Sequence, residues 1–159
     1  MLHVGFTGTR SQLTKRQFAW LETEMHLIDL TVEMTQPEKD KKRVPVSELV
    51  TLHHGDCVGA DATAHAIAQI MGWNIELHPP TNESMRAFSK GASKTHRPMK
   101  YLARDRIIAR RSSLLLAVPG TPLRAIDRQG GRGMSGTWYT VLEALRVGLE
   151  VRIYGGGTA

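Results

Sequence analysis

The chain is poor in the features that stabilise small secreted domains or anchor proteins in membranes. Its single cysteine, Cys57, cannot close an internal disulfide and cannot supply a structural zinc site of the multi-cysteine kind. No apolar run approaches the roughly 20 residues that a membrane span requires. The opening residues, Met1-Leu2-His3-Val4-Gly5-Phe6, lack the basic-then-apolar layout of a signal peptide. The expectation is a cytoplasmic protein with no membrane contact, whose stability rests on a packed core. A length of 159 residues suits one globular domain and not two.

Acidic residues are scarce in one place. The whole chain carries 21 Lys and Arg against 15 Asp and Glu, a net charge of +6. Residues 86–111 hold nine basic residues and one acid, Asp105, so that stretch alone is +8 and the remainder −2. Such a zone argues for an anionic partner, either the phosphate of a small ligand or a nucleic-acid backbone; a solvated helix face is the competing reading.

Hydrophobic patterning then sets the fold. Short apolar runs at 2–6, 49–53, 73–77, 113–118 and 149–154 read as five buried strands. Between them, Phe18, Leu21, Met25, Ile28 and Val32 recur at helical spacing, as do Ala60, Ala64, Ile67 and Met71. A third stripe, Met99, Leu102, Ala103 and Ile107, leaves Arg104 off its face, and a fourth comprises Trp138, Val141, Leu142 and Leu145. Residues 36–45, 81–98 and 119–135 read as loops, the last two long enough to suggest function. Five strands alternating with four helices predict an α/β, three-layer, Rossmann-like or flavodoxin-like domain over residues 1–154, with a mostly parallel sheet. Residues 155–159 are expected to form a flexible tail.

Three strand-to-helix turns are rich in glycine and hydroxyl groups: Gly8-Thr9-Arg10, Gly55-Asp56-Cys57-Val58-Gly59 and Gly136-Thr137. The topology puts all three at the carboxyl end of the sheet, where glycine admits close backbone approach and helix-start amides face an anion. Asp56 could cap the following helix and Asp61 could complement its dipole. Cys57 precedes a helix start but has no evident partner base. His53, His54 and His78 lie near strand ends, yet no His-x-x-x-His pair or acid cluster supports a metal site. No metal and no cofactor are expected. Trp138 is read as a core residue.

The ordered motifs Gly5-Phe6-Thr7-Gly8-Thr9-Arg10, His53-His54-Gly55-Asp56-Cys57-Val58-Gly59-Ala60-Asp61, Arg104-Asp105-Arg106 and Ser135-Gly136-Thr137-Trp138 resemble those of the SLOG superfamily. The closest likeness is to its small YspA-type branch, many of whose members are bacterial or phage proteins. The group includes the Lonely Guy phosphoribohydrolases and DNA-processing protein A. The resemblance implies a Rossmann-like cleft for a nucleotide or nucleotide derivative, with Gly8, Thr9 and Arg10 beside the phosphate or sugar. Gly55, Asp56, Cys57, Gly59 and Asp61 match the second motif, where carboxylates could accept hydrogen bonds from ribose hydroxyls; Gly136 and Thr137 match the phosphate-cradling turn, and Arg104 an active-site arginine of the hydrolases. It also implies a homo-oligomer.

One departure bears on activity. The hydrolases carry a glutamate three residues after the threonine of the last turn, and this chain has Thr140 there. Glu143 lies about one helical turn further, roughly 5.4 Å along the axis. The leading expectation is therefore a sensor or sequestering module that binds a nucleotide derivative. The alternative is a phosphoribohydrolase or related N-glycosidase, with Arg104, Asp61 and Asp56 as its catalytic candidates. A second alternative, single-stranded nucleic-acid binding, is less favoured, because only Phe88 and Tyr101 interleave aromatics with the basic zone.

Overall fold

The computed structural model describes residues 1–36, 44–130 and 132–155. The expected loop at 36–45 and the expected tail lie mostly outside those residues. Six strands form one sheet: β1 (Leu2–Gly8), β2 (Val50–His54), β3 (Asn74–Leu77), β4 (Lys94–Thr95), β5 (Leu114–Val118) and β6 (Glu150–Ile153). Their order is β4-β3-β2-β1-β5-β6, and every pairing is parallel. The helices are α1 (Lys15–Met34), α2 (Ala60–Ile70), α3 (Tyr101–Arg111), α4 (Ala125–Gln129) and α5 (Gly136–Arg146).

Strand alternation divides the core into two layers. Val4, Phe6, Leu52, Leu114 and Leu116 point to one face, where Leu21, Met25 and Ile28 of α1 and Ala60, Ala64 and Ile67 of α2 cover them. Leu115 and Ala117 point to the other face, against Ala109 of α3 and Trp138, Val141 and Ala144 of α5. Trp138 is thus a core residue, its indole Nε1 donating to the Thr121 carbonyl at 2.9 Å. Helix α1 opens on a capping box, Thr14 accepting from the Gln17 amide and the Gln17 side chain accepting from the Thr14 amide. Gly72 and Gly148 follow α2 and α5 with positive φ, as helix stops require.

Two elements exceed the sequence expectation. The two-residue strand β4 lies inside the 81–98 connection and α4 inside the 119–135 connection; neither is long enough to show a hydrophobic period. The apolar stripe on α3 also needs correction. Its buried residues are Arg104, Asp105, Ile108 and Ala109, whereas Leu102 is 48% exposed. The helix turns an ion pair inward, which apolar periodicity cannot detect. On α5, Leu145 is likewise exposed, and Thr137, Thr140 and Ala144 take the inner face.

The chain leaves β1 toward β2 on one side and comes back to β5 on the other. That reversal opens a crevice beyond the carboxyl ends of β1 and β5, the usual ligand position in open parallel sheets.

Candidate functional site

A cleft of about 510 Å3 occupies this crevice. Its walls are residues 8–11 after β1, Gly55, Cys57 and Asp61 around the start of α2, and Ser135, Gly136 and Thr137 at the start of α5. Tyr101, Arg104 and Asp105 of α3 line it as well. Of the residues singled out in the sequence, Gly8, Thr9, Arg10, Gly55, Cys57, Asp61, Arg104, Gly136 and Thr137 meet around this one space.

The first two turns are stitched to each other. The Ala60 amide donates to the Thr9 carbonyl at 2.9 Å. Gly59 has φ +85°, and a Cβ there would stand 2.5 Å from the Arg10 carbonyl. A Cβ on Gly8 would collide with the Ala60 side chain. Glycine is required at both places, by backbone approach at 59 and by the Ala60 side chain at 8. The first amide of α2 is therefore spent inside the protein. Asp61, in the first turn of α2, accepts from the Cys57 amide at 3.1 Å.

The start of α5 is different. Asp127 accepts from the Arg124 guanidinium at 2.9 and 3.0 Å and from the Ser135 amide at 2.8 Å, which fixes the chain as it enters the helix. Ser135 caps α5, and no acidic residue lies in its first turn. The positive end of the helix dipole faces the cleft beside two carboxylates that are already paired with arginines, Asp127 at the Ser135 amide and Asp105, whose Oδ2 lies 3.6 Å from where a Cβ on Gly136 would stand.

Arg104 forms the floor. It is buried, with Nε and one terminal nitrogen donating to Asp105 Oδ1 at 2.9 and 2.7 Å, and its other terminal nitrogen donating to the Gly55 carbonyl at 3.3 Å and to Cys57 Sγ at 3.5 Å. Burial opposes its charge, but Asp105, Cys57 and Asp61 more than compensate and raise its pKa. The Tyr101 ring lies between two guanidinium groups, 4.6 Å from Arg10 and 5.0 Å from Arg104. The Tyr101 hydroxyl is buried and, among the described residues, is the one buried side-chain polar atom without a hydrogen-bond partner.

The carboxylates divide by environment. Burial pushes Asp61 up to about 6, against the opposing pull of Arg104 and the Cys57 amide. Burial also raises Asp105, with Arg104 opposing. Burial lifts the Cys57 thiol, Asp61 adding to the effect, so this group is held as a thiol and not as a nucleophilic thiolate. Asp56 does not line the cleft. It is fully buried at φ +55°, accepts from Arg86 Nε at 2.7 Å and from the Ser89 amide at 2.9 Å, and so clips the segment 83–89 to the second turn. Gly59 likewise stands behind the wall.

Thr140 lies three residues after Thr137 on α5. It is buried and donates its hydroxyl to the Gly136 carbonyl at 2.8 Å. Glu143 points to the α3 side, paired with Arg146 at 2.6 Å and Arg106 at 3.5 Å. The basic zone is in part internal: Arg86, Arg104, Arg106 and Arg111 each pair with an acid, namely Asp56, Asp105, Glu143 and Glu76. Sequence reasoning missed Tyr101 and Asp105 as cleft residues. The adjacency of Asp105 to Arg104 was the available signal.

No protein-family model and no curated protein matches the sequence. Solved structures do match in three dimensions. The molybdenum cofactor binding protein of Rippkaea orientalis superposes with a TM-score of 0.64 at 17% identity, covering 96% of this chain and 75% of that one. The molybdenum cofactor carrier protein of Chlamydomonas reinhardtii gives 0.59 at 18% identity, over 96% and 75%. DNA processing protein A of Streptococcus pneumoniae gives 0.56 at 18%, over 96% of this chain and 50% of that one. The fold is therefore the one that the SLOG resemblance implies. No helix among the described residues is long and apolar enough to cross a membrane.

Proposed function

We propose that the cleft binds a small phosphorylated molecule of nucleotide type, and that the protein acts as a sensor or sequestering module. The observation that carries this reading is the convergence on one space of the start of α5 with Thr9, Arg10 and the buried Arg104. A phosphate at Gly136 and Thr137 would meet backbone amides and the helix dipole, while Arg10 at the rim would add charge. Two of the structural neighbours carry a molybdenum cofactor by name, so their version of this fold serves a small molecule. Binding is favoured over turnover because Thr140 stands where the hydrolases hold their glutamate and Glu143 is engaged elsewhere.

One observation supports a phosphoribohydrolase as the second reading. Asp61 lines the cleft, is buried, and is raised to about 6, a value suited to proton transfer near neutral pH. It could protonate a departing base.

The test incubates the purified protein with nucleoside monophosphates, NAD, ADP-ribose and cyclic nucleotides, and reads retained ligand and products by mass spectrometry. Retention of an intact nucleotide, weakened about tenfold by Arg10→Ala, supports the module. Free base with ribose phosphate supports the hydrolase. Absence of both retention and product for all of these compounds overturns both readings.

A further inference from the structure

Six of the seven histidines stand in two buried or half-buried groups, one of which has the composition of a metal site. We infer that His53, Glu76 and His78 form a binding site for a divalent zinc-class cation, separate from the ligand cleft. The three offer two imidazole nitrogens and a carboxylate oxygen, all within 4.8 Å of one another. None of them lines the cleft.

The sheet itself assembles the trio. Glu76 and His78 are two residues apart along one extended segment and so project from the same face. Parallel pairing places His53 of β2 opposite Glu76 of β3. The donors therefore arise from strand register, a relation that linear spacing does not reveal, and this reverses the expectation that the histidines hold no metal.

Donor distances fit a small cation after minor adjustment. His53 Nδ1 lies 3.1 Å from His78 Nε2 and 3.8 Å from a Glu76 oxygen. Tetrahedral zinc with ligand bonds of about 2.0–2.1 Å separates its donors by roughly 3.3 Å. In the protein alone, the facing nitrogens of His53 and His78 share one proton between them, and a cation would take that position. Three protein donors leave a fourth place for water.

The surroundings supply the outer partners that such ligands need. The other nitrogen of His53, Nε2, is 2.9 Å from His3 Nδ1, which holds its ring in place and can accept its proton. His96 Nε2 donates to Glu76 at 2.6 Å and stacks on His78 with centroids 4.2 Å apart. Burial keeps both His53 and His78 below the ordinary imidazole value, so both are neutral and have lone pairs to give at physiological pH. Two positive groups oppose: Arg111, half-exposed, reaches the same Glu76 oxygen at 3.6 Å, and Lys94 of β4 stands opposite Glu76 in the register. The carboxylate has a second oxygen, which lets it serve a cation and its present partners together.

The other group, His54 and His65, carries no such site. The Asp56 amide donates to His54 Nδ1, His54 Nε2 pairs with His65 Nδ1, and His65 Nε2 donates to the Lys90 carbonyl, so every ring nitrogen is engaged.

The test uses tag-free protein stripped with chelator. Titration with zinc should show one equivalent bound per chain, and cobalt should give the absorption of a tetrahedral site. Glu76→Gln and His78→Gln should each abolish stoichiometric uptake, and His96→Gln should weaken it by about 10–100-fold. Should either first-named variant fail to fold, an anomalous difference map of a zinc-soaked wild-type crystal decides: a peak between His53, Glu76 and His78 supports the site, and its absence overturns it. Less than one equivalent bound by wild type, or uptake unchanged in folded Glu76→Gln, also overturns it. None of these readouts depends on the nucleotide reading of the cleft.

Discussion

Gly55 lies flat against the guanidinium of Arg104, so closely that a Cβ at position 55 would stand 2.7 Å from Arg104 Cζ. The missing side chain is what allows a charged group to occupy the cleft floor. Gly55→Ala should therefore displace Arg104, destabilise the protein by about 1–3 kcal/mol as overpacking does, and weaken ligand retention. Urea unfolding together with binding of the retained ligand checks this. Unchanged values for both would refute the packing relationship.

Arg104 and Asp105 are a buried pair with two hydrogen bonds between them. Arg104→Met leaves Asp105 buried without its counter-charge and should cost about 3–5 kcal/mol. The double change Arg104→Met with Asp105→Leu should cost much less than the sum of the single changes. Additive losses in a double-mutant cycle would show that the two residues act independently.

Asp61 predicts a pH signature. Its value in the folded protein, about 6, lies above its ordinary 3.8, so the folded state holds the proton more tightly than the unfolded chain. Stability from this group is full at low pH, falls as pH rises from about 4 to about 6, and stays flat above, a swing of about 3 kcal/mol. Asp56 and Glu76 are shifted downward and contribute in the opposite sense, at lower pH. The measurement is the difference between wild type and Asp61→Asn across that range. An identical pH slope in the two proteins would exclude a raised Asp61.

Tyr101 carries a buried hydroxyl without a partner. Tyr101→Phe removes a desolvated group at no packing loss, so the ligand-free protein should gain about 1 kcal/mol. If the ligand satisfies that hydroxyl, the same variant should bind less tightly, and thermal melting with and without ligand separates the two effects. A less stable ligand-free variant would mean that the hydroxyl is already hydrogen-bonded.

What the sequence discloses depends on how each feature is encoded. Strands β1, β2, β3, β5 and β6 are legible because continuous apolar runs bounded by glycine or charge mark buried parallel strands. The glycines at 8, 55 and 59 are legible because a Cβ there would run into the Ala60 side chain, the Arg104 guanidinium and the Arg10 backbone respectively. The inner face of α3 is not, since Arg104 and Asp105 neutralise one another and only their pairing makes burial possible. Asp56 reads as a ligand contact, yet its partners Arg86 and Ser89 are 30 and 33 residues away, and nothing local announces them. The association of His53, Glu76 and His78 is hidden for the same reason, being a product of register across strands.

The stitching of the first two turns has a thermodynamic consequence. Residues 8–11 and 57–61 are locked by main-chain hydrogen bonds and glycine contacts before any ligand arrives. Their conformational entropy has already been lost in folding, so association need not order them a second time. One wall of the cleft is thus a preformed template, and affinity there reports contact chemistry instead of loop ordering. The opposite wall is held in place by the side-chain clip of Arg124 and Asp127 instead of by main-chain bonds between turns.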